Sequence, residues 1–347
     1  MKISVLGCGR WGSFIAWYLC GHGHDVCLWG AENGASYTVL KQTGKNEYVT
    51  LDPRITLTCD LEKAISHAEV IIISISSQGL RGFMERVINY GVADKKFVLC
   101  MKGIEVSTGA RLSQVLVQSG IPSQNIAVWV GPGHIQAFTQ GIPNCMVIDS
   151  DSDELKRFLA DGFRSDLIRF YYGSDLIGTE IGAAAKNVMG IVAGILDGCG
   201  YASLKGSLMS RGAREVARLI KAMGGNELSA YGLAHLGDYE ATLFSEYSHN
   251  RAYGEMLVKG EKFSKLAEGV PTAAAMKALG EKYGVDLPIT CAVYDICYAS
   301  GVLAPLKYLK LGRYIILSLT YRFGNFGGQN GRPGPGGRPG PGGPHRR

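Results

Sequence analysis

Short apolar runs alternate with mixed segments through the first half of the chain. The runs at residues 2–6, 26–29, 55–58, 70–75, 97–101, 126–130, 145–148 and 168–172 largely lack polar alternation and read as strands buried on both faces. Between them, residues 13–20, 61–68, 80–90 and 153–161 have helical patterning. Strands separated by helices predict a parallel, doubly wound α/β sheet. Ligands in such sheets lie beyond the carboxyl ends of the strands.

From residue 175 the pattern turns helical almost throughout, which predicts a first domain over 1–173 and an all-α second domain over 174–312. The second begins with 178–198, GTEIGAAAKNVMGIVAGILDG, apolar on every side and so a helix buried all round. Gly182, Gly190 and Gly194 share one face of it, where another backbone can approach. Its one basic residue, Lys186, is costly in such a helix unless an anion meets it. The other reading is that Lys186 snorkels to the surface along its own stem. A membrane span fits poorly, because the lysine sits near the middle and no second span or basic flank accompanies it.

Further along, residues 208–223 place Val216, Leu219, Ile220 and Met223 on one face and Arg214, Arg218 and Lys221 opposite, an amphipathic surface helix. Helical patterning returns at 252–258, 273–283 and 292–300. Residues 236–252 read as a polar loop holding Asp238, Thr242, Ser248, His249, Asn250 and Arg251.

The first strand runs into Gly7-Cys8-Gly9-Arg10-Trp11-Gly12, then a helix, then a second strand ending at Trp29. Gly7 allows the tight turn and Gly9 lets the backbone close on a pyrophosphate. Gly12 lets helix and strand pack, and the helix N-terminus offers free N–H groups. In this strand–turn–helix context the GxGxxG motif predicts a Rossmann-type dinucleotide site. Glu32 lies where a carboxylate accepts from the adenosine ribose hydroxyls, and no lysine or arginine from Gly30 to Val39 is at hand for a 2′-phosphate. NAD is therefore favoured over NADP, the alternative being that Glu32 is a solvated loop residue. Ser76, Ser77, Lys102, Gly131 and Pro132 fall at the same sheet edge. Lys102 is thus a candidate to face cofactor or substrate, with a solvated loop lysine as the alternative.

Composition changes this picture in few places. The net charge is +6, but eight basic residues and no acidic one follow Pro305, leaving 28 basic against 30 acidic residues before it. The folded body is therefore near neutral, and its charge points to no nucleic-acid partner. Residues 313–347 are rich in glycine, proline and arginine and predict a mostly disordered basic tail. Nine scattered cysteines without a CxxC pair suggest reduced core thiols in a cytoplasmic protein, with no disulfide framework and no metal site. The opening MKISVLGCG reads as a strand rather than a signal peptide. An apolar helical domain is compatible with a homodimer.

Several motifs in order carry a resemblance. They are GxGxWG at Gly7, KG at Lys102, GP at Gly131, DxxGxExGxAxKNxxxIxxGxxDG from Asp175 to Gly198, LGD at Leu236, SHNR at Ser248 and EG at Glu268. Together they resemble the NAD(P)-dependent glycerol-3-phosphate dehydrogenases of bacterial type, over about residues 1–305. The resemblance implies hydride exchange between NAD or NADP and the pair dihydroxyacetone phosphate and sn-glycerol 3-phosphate, feeding phospholipid synthesis.

It further implies that Lys186 donates or accepts the proton at the substrate C2 oxygen, with Lys102 and Asp238 as catalytic partners. Lys102, Gly131, Thr242, Ser248, His249, Asn250 and Arg251 then line the substrate, its phosphate near Ser248, His249 and Arg251. Gly7, Gly9, Arg10, Trp11, Gly12, Glu32, Lys102, Ile135, His249 and Glu268 fall to the cofactor. Burial and the second ammonium of Lys102 are expected to lower the Lys186 pKa into the working range.

The chain also departs from the family pattern. His249 stands where arginine is usual, Gly133-His134-Ile135 replaces a serine and a small residue, Ser76 replaces a proline, and Ser203 an asparagine. A neutral histidine cannot fork onto a phosphate, and Ile135 would add bulk beside the nicotinamide. Two readings follow: an active enzyme, or a cofactor-binding protein with weak or lost activity or a different small hydroxy acid or phosphate as substrate.

Overall fold

The computed structural model describes residues 1–299; the expected tail at 313–347 lies outside them. The first half runs β1 (Lys2–Leu6), α1 (Arg10–Gly21), β2 (Asp25–Trp29), α2 (Ala35–Thr43), β3 (Thr56–Thr58), α3 (Leu61–His67), β4 (Val70–Ile73) and α4 (Leu80–Val87). It continues through β5 (Lys96–Leu99), α5 (Leu112–Gln118), β6 (Ile126–Val130), α6 (Ile135–Thr139), β7 (Asn144–Ser150), α7 (Asp153–Phe163) and β8 (Ile168–Tyr172). These strands form one sheet in the order β3-β2-β1-β4-β5-β6-β7-β8. On one face Phe14 and Tyr18 of α1 pack with Trp129, Phe138 and Phe163; on the other, Ile65, Met84 and Leu116 cover Ile71, Phe97 and Val128.

The expectation of a wholly parallel sheet needs one correction: β7 runs antiparallel to β6, and β8 is parallel to β7. The connection from β6 to β7 contains only the five-residue α6. Such a helix rises about 8 Å, too little to carry the chain back along a strand of roughly 17 Å. The chain therefore turns back on itself.

The second half is α8 (Leu176–Gly198), α9 (Lys205–Ala222), α10 (His249–Lys259), α11 (Gly269–Tyr283) and α12 (Pro288–Ala299). α8 is long and apolar enough to cross a membrane, yet 89% of that window is buried inside the protein, so here it is the core helix around which the others pack. The glycine face admits the predicted close approach. A Cβ at Gly194 would overlap the Arg251 carbonyl, and one at Gly254 the Ile191 carbonyl, so α10 lies backbone against backbone on α8.

Two carboxylates fasten α8 to the sheet half. Glu180 accepts from the Ser113 amide at 2.9 Å, from its hydroxyl at 2.6 Å, and from the Arg111 guanidinium at the start of α5. Asp149, at the end of β7, accepts from the Thr179 hydroxyl at 2.7 Å. These bonds set the angle at which Lys186 arrives at the sheet edge.

The polar loop expected over 236–252 is an ordered segment. Leu236–Asp238 is a 3-10 turn, Glu240–Phe244 a π-helical turn, and α10 already begins at His249. Tyr239 and Leu243, both without exposed surface, anchor it in the helical core, and the Ser248 hydroxyl caps α10 by accepting from the Arg251 amide. The alternation of polar groups with these anchors hides the helical periodicity.

Candidate active site

A cleft of about 540 Å³ opens where the carboxyl edge of the sheet meets the helical half, lined among others by Gly7, Gly9, Arg10, Trp11, Lys102, Lys186, Asp238, His249, Asn250 and Glu268. Gly7 has φ +117°, and a Cβ there would run into the Ser74 carbonyl; a Cβ at Gly12 would overlap the Gly7 carbonyl. The Cβ direction of Gly9 instead faces open space. The loop is thus folded tightly under α1 and left bare where a pyrophosphate would lie, with the first turn of α1 free of acidic residues. These features fit a dinucleotide. Glu32 is exposed in the segment between β2 and α2, clear of this cleft.

At the far end, Asp238 is the shared partner of two ammonium groups. Its Oδ2 accepts from Lys102 Nζ at 2.6 Å and lies 3.1 Å from Lys186 Nζ. Lys102 also donates to the Gly131 carbonyl at 2.9 Å, and Lys186 to the Thr242 hydroxyl at 2.7 Å. Thr242 donates in turn to the Asp238 carbonyl at 2.7 Å. Lys186 is only 8% exposed, so the anion expected for it is present and the snorkelling reading falls. Burial brings its pKa down to about 8; Lys102 pushes the same way and Asp238 opposes. The second carboxylate oxygen of Asp238 has no hydrogen-bond partner among the described residues, although the residue is 1% exposed. An orphaned acceptor in a cleft is costly unless a ligand donor meets it.

A line of amides fixes the floor of the site. Asn187 donates to the Lys102 carbonyl at 3.1 Å, Asn250 donates to Asn187 at 3.0 Å, and the Gly269 amide donates to Asn250 at 2.8 Å. The line ties β5, α8, α10 and α11 together and holds Lys102 opposite Lys186. Glu268 borders the cleft beside the turn after β4, accepting from the Ser77 hydroxyl at 2.7 Å. Ser248, His249 and Asn250 bring the N-terminus of α10 into the cleft. Burial, with the charges of Arg10 and Lys265, lowers the His249 pKa, so its imidazole is neutral near pH 7.

Besides Glu32, two expected site residues lie outside the cleft. Arg251 points away from the cleft, its Nε 2.6 Å from Asp197 and its Nη2 3.6 Å from Glu255. Two steps along a helix turn a side chain through about 200°, so Arg251 cannot share the direction of His249. Ile135 is 2% exposed and packs in the sheet core with Phe14 and Trp129, so its bulk does not enter the cleft. Gly131 and Thr242 act one step back, as acceptors for Lys102 and Lys186.

Sequence reasoning missed His134, Tyr247 and Leu266, which also line the cleft. The His134 and Tyr247 rings meet edge to face at 5.7 Å, and His134 Nε2 has no partner among the described residues. The strand–glycine ending before His134 was the available signal. For Tyr247 and Leu266 there was none.

Comparison with known proteins agrees with this geometry. Residues 2–156 match the family model described as NAD-dependent glycerol-3-phosphate dehydrogenase N-terminus, and residues 175–304 that described as its C-terminus. The chain is 35% identical over 312 residues to a glycerol-3-phosphate dehydrogenase [NAD(P)+] of Chlorobium phaeobacteroides, covering 86% of this chain and 93% of that protein. A protein of the same name from Moorella thermoacetica is 35% identical over 309 residues, covering 86% and 91%. Among solved structures, the glycerol-3-phosphate dehydrogenase of Coxiella burnetii superposes with a TM-score of 0.80 at 25% identity, covering 89% of this chain and 97% of that one. With both halves matched and a lysine–aspartate–lysine cluster set between them, the chain belongs to the NAD-dependent glycerol-3-phosphate dehydrogenase family.

Proposed function

We propose that the protein interconverts dihydroxyacetone phosphate and sn-glycerol 3-phosphate with NAD or NADP, supplying glycerol 3-phosphate for phospholipid synthesis. The observation that carries this reading is Lys186, buried at the convergence of Asp238, Thr242 and the edge of the cleft, with a pKa brought down to about 8. Such an amine is protonated enough to donate near neutral pH and weak enough as an acid to take the proton back.

The nicotinamide, when bound, supplies or takes the hydride at the substrate C2 carbon. In reduction, Lys186 gives its proton to the C2 oxygen, and the Lys102 ammonium stabilises the negative charge building there. Asp238 holds both ammoniums through Oδ2, and its unpartnered oxygen accepts a substrate hydroxyl. Thr242 keeps Lys186 aimed, and Asn187 and Asn250 keep Lys102 opposite it. The α10 N-terminus faces the phosphate end of the substrate. With Ile135 turned into the core, one of the objections to an active enzyme is removed.

Lys186→Met tests this reading by keeping much of the bulk and removing the charge. NADH absorbance followed after adding dihydroxyacetone phosphate should show kcat down by roughly 10²–10⁴, with NADH binding retained. Full turnover in the variant, or none in the natural protein, overturns it. The free state of all nine cysteines supports a cytoplasmic setting, which fractionation of the host cell would check.

A further inference from the structure

Three cations line the cleft: Lys102, Lys186 and Arg10. Two of them are committed to Asp238 at one end. Arg10 stands apart, at the first position of α1, where its side chain meets Tyr48 rather than a carboxylate of the described residues. Its guanidinium carbon lies 5.8 Å from the centroid of the Tyr48 ring, and its side chain borders both the cleft and an adjoining cavity of about 340 Å³. Tyr247, Ser248 and His249 border the same two cavities, so Arg10 faces the start of α10 across their junction.

Lys262 and Lys265 border only the adjoining cavity, and the other groups that line the cleft at this junction are weak partners for a phosphate. Arg251 is taken by Asp197, the Ser248 hydroxyl caps α10 through its oxygen and offers a phosphate an O–H but no charge, and the His249 imidazole is neutral. A phosphate dianion brought into a half-buried cleft requires a fixed cation, and a guanidinium fork is the best geometric match. The helix N-terminus contributes N–H groups but only partial charge. Asp238, which lines the same cleft, keeps a buried oxygen with no partner among the described residues, an independent mark of a site built for a ligand.

We propose that Arg10 is the guanidinium that receives the substrate phosphate, so that selection of a phosphorylated ketone rests on α1 of the nucleotide-binding half and not on His249. This rests on the dihydroxyacetone phosphate reading above. It also makes the first turn of α1 serve two anions, its backbone facing the cofactor and its first side chain facing the substrate. Both halves of the protein then contribute to the substrate seat.

The test is Arg10→Gln in the full chain. NADH affinity is measured by nicotinamide fluorescence, KM and kcat with dihydroxyacetone phosphate, and affinity of the NADH complex for inorganic phosphate by calorimetry. Loss of a charge-assisted bond should raise KM and weaken inorganic phosphate by at least about tenfold, with NADH affinity changed by less than about threefold. Adding His249→Arg to Arg10→Gln should recover much of the lost substrate affinity. Weakened NADH binding with KM and phosphate affinity unmoved overturns the proposal and assigns Arg10 to the cofactor. Should the natural protein fail to turn over dihydroxyacetone phosphate, the function reading fails, and the phosphate arm still decides Arg10: equal affinity in protein and variant overturns its role.

Discussion

Tyr239 donates its hydroxyl to Nε2 of His235 at 2.7 Å, four residues back along a turn where neither side chain has exposed surface. The other ring nitrogen, Nδ1, lies 2.8 Å from the Gly182 carbonyl and must therefore carry the proton. The imidazole is neutral, and burial holds its pKa down to about 4. Asp238 lies between these two residues in sequence, so the pair clamps the turn that presents Asp238 to α8.

This clamp makes stability depend on acid. The unfolded chain takes a proton on His235 near pH 6.5, whereas the folded protein resists until about 4. The stabilisation is complete above pH 6.5 and is lost as pH falls toward 4, amounting to roughly 3 kcal/mol in all. Chemical unfolding at pH 7 and pH 5 should show His235→Asn losing less stability on acidification than the natural protein. Tyr239→Phe leaves Nε2 unpaired and should cost about 1–3 kcal/mol at pH 7. Parallel pH dependence in protein and His235→Asn would remove His235 from the account.

Much of this architecture was legible in the sequence, because unbroken apolar runs and a glycine turn are local signals. The strands at residues 2–6, 126–130 and 168–172 emerge with the same bounds, and the buried helix around Lys186 needs only two more residues at its start. What was hidden depends on contacts between distant segments. The reversal of β7 follows from the shortness of α6, and the role of Glu180 from a serine and an arginine 67 and 69 residues away. The direction of Arg251 could not be read while α10 was taken to begin at residue 252 rather than His249. Lys186 stood out from its apolar helix and Lys102 from the sheet edge, and the role of Asp238 came from motif resemblance, but their shared oxygen atom is a fact of geometry.

The backbone contact between α8 and α10 predicts an intolerant site. A side chain at Gly194 would overlap the Arg251 carbonyl, and no flexible neighbour can give way. Gly194→Ala should therefore destabilise by about 1–3 kcal/mol through overpacking, despite alanine's better helix propensity. Gly206, on α9 with open space at its Cβ, is the control, and Gly206→Ala should be neutral or stabilising. Thermal melting of both variants checks the contrast; equal melting temperatures would mean that α10 does not sit on α8 as described.

Glu32 makes cofactor preference testable. It is exposed after β2, where the resemblance and the spacing from Gly12 assign it to the adenosine ribose. A carboxylate there accepts from ribose hydroxyls and repels a 2′-phosphate, so NADH is expected to bind more tightly than NADPH. Glu32→Arg should reverse this order, lowering the ratio of NADH to NADPH affinity by at least about tenfold. Fluorescence titration with both cofactors measures it. An unchanged ratio would leave Glu32 a solvated residue with no part in recognition.

Rate against pH should report the charges around Lys186. Reduction of the ketone requires the ammonium, so its kcat/KM should fall as pH rises through about 8, where burial holds this amine. Oxidation of the alcohol requires the free amine, so it should rise through the same region. Asp238 raises the Lys186 pKa and Lys102 lowers it. Asp238→Asn therefore moves the limb to lower pH, and Lys102→Met moves it to higher pH, while both variants lose rate. Opposite displacements are difficult to produce by general damage to the fold, which would lower rates without moving the midpoint in either direction. Midpoints that coincide in the natural protein and both variants would show that some group other than Lys186 carries the proton.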